Sequence, residues 1–111
     1  MILKSKTLVK IISFNFARAM ALFPFIIINN EHLRSDRILI NHEKIHIRQQ
    51  GELLVVFFYL WYFSEFFLRF LRHKSRQKAY ENISFEREAY ANECRLDYLK
   101  ERKIWSFWKY L

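Results

Sequence analysis

Turn-forming residues are nearly missing from this chain of 111 residues, which has one glycine and one proline. Their scarcity excludes a fold of many short strands joined by tight turns and leaves helices as the dominant element. A single cysteine, Cys94, excludes an intrachain disulfide and removes any need for an oxidising compartment; it reads as a small buried apolar residue. Acidic residues are few, 11 against 19 lysines and arginines, so the formal net charge is +8. Nucleic acid and an anionic membrane surface would both suit that excess. No nucleic-acid-binding motif accompanies it, so no nucleic-acid partner is expected. No repeat or low-complexity tract is visible. The basic start does not read as a signal peptide, because Asn15 and Arg18 interrupt the apolar stretch and Pro24 follows it.

Apolar residues are abundant: 52% of the chain is hydrophobic, and 12 residues are phenylalanine. The length fits one domain over 1–111. The pattern predicts a mostly α fold with three helices, about 36–50, 52–72 and 82–102, and a short N-terminal β-hairpin from about 11–17 and 21–28, with Pro24 on an edge strand. Ser35 or Asp36 caps the first helix, whose stripe of Ile38, Leu39, His42, Ile45, His46, Gln49 and Leu53 turns inward. Gly51 marks a break or bend. Residues 53–71 are apolar except for Ser64, Glu65 and Arg69, just short of the ~20 residues that span a bilayer. The tail sets Trp105, Trp108 and Tyr110 beside Lys103 and Lys109, the composition of an interfacial anchor. Membrane association, with lipid as a partner, follows from this charge and apolarity.

Within the first predicted helix stand His42-Glu43-Lys44-Ile45-His46, an H-E-x-x-H sequence. Two histidines four apart lie one turn above each other, so their imidazoles can converge on one Zn²⁺, with Glu43 beside it as a base. A shuffled chain of this composition would contain the motif with a probability of about 0.01, so chance is a poor explanation. Catalytic zinc needs a third protein ligand and an open position. His32 and His73 are the other histidines, but residues 85–93, with Glu86, Glu88 and Glu93, are the richer source. Glu88 shares the apolar face of Phe85, Ala89 and Asn92, whereas Glu86 shares a face with Tyr90 and Glu93. An inward apolar face favours Glu88, with Glu86 as the alternative.

H-E-x-x-H followed by Glu86-Arg87-Glu88-Ala89-Tyr90-Ala91-Asn92-Glu93 resembles the gluzincin metallopeptidases, especially the membrane-embedded antirepressor-type β-lactam sensors and CAAX-prenyl endopeptidases. The resemblance implies that Glu88 is the third ligand of one zinc ion and that Asn92 stands where the family usually carries an aspartate supporting the site. In the alternative alignment Glu86 is the ligand and Tyr90 the departing position. Gln49, three residues after His46, fits a common extension of the motif.

The implied chemistry is hydrolysis of a peptide or protein substrate at or near a membrane. Glu43 takes a proton from water and passes it to the leaving amine. Tyr90, Tyr80 and His73 are candidate partners of the oxyanion. Residues 24–28 are placed to align an extended substrate by edge pairing. A simple bilayer crossing by 53–71 would separate His46 from Glu88, so the site requires a monotopic or re-entrant arrangement, expected at the cell inner membrane. Either 53–71 packs as a crossover helix with the following loop running back along it, or it bends near Ser64. The competing expectation is a small non-enzymatic membrane-associated protein that binds another membrane protein.

Overall fold

A computed structural model describes residues 2–5, 7, 9 and 18–111. β-Branched and small residues build a three-stranded sheet from β1 (Ile2–Lys4), β2 (Ala19–Leu22) and β3 (Phe25–Ile28). The order is β1-β3-β2, with β1 parallel and β2 antiparallel to β3. Three consecutive isoleucines, Ile26, Ile27 and Ile28, are buried, as suits a central strand covered on both faces. The expected strand 21–28 is divided instead at Phe23-Pro24, which forms the turn of the β2–β3 hairpin, so Pro24 lies outside both strands. The Phe23 N–H donates to Gln50 Oε1 at 2.7 Å, tying that turn to the next helix. The other expected strand, 11–17, lies outside the described residues.

The fold is mostly helical, as the scarcity of turn residues requires. A 3₁₀ turn, Glu31–Ser35, leads to Asp36, whose carboxylate accepts from the Leu39 N–H at 3.1 Å and caps α1 (Arg37–His73). The expected helices 36–50 and 52–72 are thus one element with an interruption. The interruption falls at Leu54 (φ 58°, ψ 144°), a conformation usually left to glycine, and not at Gly51. Gly51 stays helical, and a Cβ there would make ordinary van der Waals contact with the Phe23 ring at 3.4 Å.

After Leu54, α1 runs without a bend at Ser64, whose hydroxyl donates to the Leu60 carbonyl, and ends at Lys74 in the left-handed region (φ 54°). Its inner side joins Phe58 to Ile83, Phe85 and Phe107 in a buried apolar cluster. The chain returns through α2 (Arg76–Glu81), capped by Ser75, to α3 (Ser84–Asn92). The return along α1 is the crossover arrangement expected from the sequence. By length and composition α1 is long and apolar enough to cross a membrane. His46 and Glu86, however, flank its apolar run and lie 3.1 Å apart, so the run does not separate them.

The expected last helix, 82–102, stops at Asn92 and resumes only as α4 (Tyr98–Glu101), before a 3₁₀ turn at Ser106–Tyr110. Asn41 of α1 holds the chain just past the stop: its Nδ2 donates to the carbonyls of Glu93 (2.9 Å) and Arg95 (3.0 Å), with a longer contact to Asn92 (3.4 Å). The Asn92 and Arg95 carbonyls also accept from the Arg95 N–H (3.0 Å) and the Tyr98 N–H (2.9 Å), so Asn41 reinforces the turns that follow the helix. Glu65, also from α1, holds the opposite end. Its Oε1 accepts from the Ser84 N–H at 3.0 Å, and its Oε2 accepts from the Ser84 hydroxyl and from Trp61 Nε1. A carboxylate at a helix N-terminus satisfies free N–H groups and opposes the positive end of the dipole. The one acid in the apolar run thus has a structural use: α1 grips α3 at both ends.

Candidate metal centre

Between those two grips, α3 presents Glu86 to the histidine pair. His42, His46 and Glu86 are all buried, and their ligand atoms form a compact group. Glu86 Oε1 is 3.1 Å from both His42 Nε2 and His46 Nε2, and the two nitrogens are 3.2 Å apart. Each member is also held from behind. His42 Nδ1 meets Glu93 Oε2 at 3.2 Å, His46 Nδ1 meets Gln49 Oε1 at 2.8 Å, and the Tyr62 hydroxyl donates to Glu86 Oε2 at 2.7 Å. Outer partners of this kind fix ring orientation and strengthen imidazole as a ligand.

The carboxylate that meets the histidines is therefore Glu86, the alternative third ligand, and not Glu88. Glu88 is also wholly buried, but it faces Arg102, Tyr98 and Gln49. The inward-apolar-face argument fails because both faces of α3 are covered, one by α1 and the other by the C-terminal segment that brings Arg102. Asn92 does not reach a histidine; its Nδ2 donates to the Glu88 carbonyl and to the Tyr110 hydroxyl. The acidic outer partner is Glu93, one face-repeat beyond Glu86. Gln49, the residue of the extended motif, contacts His46 Nδ1.

Tyr90 packs edge-on against His42 with ring centroids 4.5 Å apart, and its hydroxyl is 3.1 Å from that of Tyr80. Both tyrosines thus border the site. His73 closes α1 about three turns, roughly 16 Å, beyond Tyr62, away from the donors. β3 cannot offer a free edge to a substrate, since β1 and β2 flank it. Cys94 is exposed, against the expectation that it is buried, because it lies where α3 has just ended.

Charge is concentrated where the donors converge. Burial alone would lower His46, but the Glu86 charge and hydrogen bond, helped by Glu43 and Gln49, raise it to about 9. Burial pushes the Glu86 carboxyl up, and the two imidazoles outweigh this, holding it well below the usual carboxylate range. The centre of the donor triangle therefore favours positive charge, whether a proton or a metal ion. Glu43, 5% exposed, has its carboxyl raised by burial, only partly offset by His46 and His42. That is the direction needed for a group that must take up a proton and release it.

Sequence reasoning missed Tyr62, Asn41, Glu93 as the outer acid, and Arg102. Glu93 had a signal in its shared face with Glu86, and Tyr62 had one in its polar tip within an apolar run. Arg102 had none, since its position depends on the chain reversal after Asn92.

No protein-family model, curated protein or solved structure matches this chain.

Proposed function

We propose that this chain is a minimal zinc-dependent metallopeptidase of gluzincin type that acts at a membrane. The observation that carries the reading is the donor triangle. Three ligand atoms about 2.0–2.1 Å from a tetrahedral zinc lie about 3.3 Å from one another, and the three here are 3.1–3.2 Å apart. Two imidazoles and one carboxylate are also the donor types that leave a fourth position open. His42, His46 and Glu86 would hold the ion. Bound zinc supplies Lewis acidity toward a peptide carbonyl and toward water.

The chain's own residues do the rest. Glu43 takes the proton of the attacking water and delivers it to the leaving amine, so that neither hydroxide nor an amide anion has to form free in solution. Tyr90, 45% exposed, and Tyr80 offer hydroxyls at the rim to stabilise the oxyanion that develops on the carbonyl oxygen. Glu93 and Gln49 keep the imidazoles oriented while the ring nitrogens facing Glu86 are engaged.

Association with lipid rests on α1 after Leu54. Val56, Leu60, Phe63 and Phe67 repeat every three or four residues along its outer side, and each is more than half exposed. Exposed Ile104, Trp105 and Trp108 add a second apolar group, and Arg69, Arg72, Lys74, Arg76 and Lys78 flank the helix end. A monotopic seat at the cell inner membrane, with this side in the bilayer and the donors outside it, accommodates both features.

Hydrolysis of peptides by the purified zinc-loaded protein tests the reading. Glu43→Gln is expected to keep the ion and lose turnover, and an inactive wild type with a full complement of zinc would end the peptidase proposal. The same apolar side favours a second reading, a non-enzymatic protein that binds another membrane protein; intact biological activity in Glu43→Gln would select it.

A further inference from the structure

We infer that Arg102 is a positioning residue for His46, acting at a distance through Glu88 and Gln49; the inference rests on the zinc reading of the site. Arg102 follows α4, far from the motif in sequence, yet its side chain is wholly buried. Its guanidinium grips both oxygens of Glu88, Nε to Oε2 and Nη2 to Oε1 (3.1 Å), and donates from Nη1 to Glu52 Oε2 at 2.5 Å. A buried carboxylate such as Glu88 is tolerated only when paired in this way.

Glu88 passes the arrangement on. Its Oε1 accepts from Gln49 Nε2 at 2.9 Å, and the same amide nitrogen donates to the Phe85 carbonyl at 3.2 Å. Two acceptors on that nitrogen fix which way round the amide lies, so Gln49 Oε1 must face His46 Nδ1. An amide oxygen only accepts, so Nδ1 must carry a proton and Nε2 is the nitrogen left for the donor triangle. Without Arg102, Glu88 is an uncompensated buried charge that must draw another donor or take a proton. Gln49 then loses the contact that fixes its amide, and a flipped amide would turn its NH₂ toward Nδ1 and favour the wrong tautomer.

A double-mutant cycle on the full chain, read by zinc affinity, tests this. Arg102→Met and Gln49→Leu are each expected to weaken zinc binding 10–100-fold, and the double variant no more than the weaker single, because both act on one line. In the metal-free protein the His46 Nδ1 proton should give a slowly exchanging NMR resonance that either substitution removes. Arg102→Lys keeps the charge without the two-pronged grip; it should show a smaller loss, and it replaces Arg102→Met if that variant does not fold. The inference is overturned if the resonance survives loss of the arginine, or if Arg102→Met costs as much in the Gln49→Leu background as in the wild type. A wild type that binds no zinc but loses the resonance in Arg102→Met overturns the zinc reading and leaves the positioning role standing.

Discussion

The two halves of α1, before and after Leu54, reverse the usual rule for helices in opposite ways. The first half buries polar side chains, those of Asn41, His42, Glu43, His46, Gln49 and Gln50. The second half exposes apolar ones, with Val56 at 68%, Leu60 at 61% and Phe67 at 61%. Polar groups can be buried in the first half because other elements supply partners: α3 brings Glu86 and Glu93, and the β2 Ala21 carbonyl accepts from Gln50. Phe58 packs into the buried cluster, but Val56, Leu60 and Phe67 stay largely exposed, while the polar tips of this half, Tyr62 and Glu65, point at α3. The difference teaches that burial in this chain follows chemical use, and that the proposed membrane association rests on the exposed apolar side of the second half alone.

The largest effect should come from the first half. Glu43→Gln is expected to lower peptide hydrolysis about 10²–10⁴-fold with zinc content unchanged, measured by turnover and metal analysis on the same sample. Equal loss of zinc would mean that Glu43 holds the site together and does not act as its base. Next come the grips on α3. Glu65→Leu leaves the buried Ser84 hydroxyl without its acceptor and should cost about 1–3 kcal/mol in denaturant unfolding, and Asn41→Leu, which removes hydrogen bonds to carbonyls that mostly keep other donors, about 0.5–1.5 kcal/mol. A negligible cost for either would show that α3 does not depend on α1 for its ends.

In the second half the same kind of substitution should do little to stability. Phe63→Ser and Phe67→Ser lie on the exposed side and should shift unfolding by about 0.5 kcal/mol or less, yet flotation with anionic lipid vesicles should fall sharply. A large stability loss instead would mean that this side is covered by protein, which would remove the contrast between the halves.

The smallest effect concerns pH. In the metal-free protein His46 titrates at about 9, above its ordinary 6.5, so the folded chain binds the proton more tightly. That contribution is fully present below about pH 6.5 and is lost as pH rises toward 9, so the urea midpoint of metal-free protein should drop across that window. His46→Gln should abolish the drop.

Much of this was legible in the residues. The helical character follows from the missing turn residues, the inward stripe of His42, Ile45, His46 and Gln49 follows from its spacing, and the crossover path follows from requiring His46 and a downstream glutamate to meet. The choice between Glu86 and Glu88 was not legible, because both are buried and the counter-charge that decides between them, Arg102, comes from a segment whose path no periodicity records. The break at Leu54 carries no signal in the residues: Gly51 is the one that looks breakable, but it stays helical and the left-handed backbone falls on a leucine three residues later.

The central claim is that His42, His46 and Glu86 form one zinc site. Metal analysis of the wild type beside Glu86→Ala tests it most directly. The account predicts one zinc per wild-type chain and none in Glu86→Ala under the same conditions. A wild type without zinc, or a Glu86→Ala variant that retains its full equivalent, would contradict it.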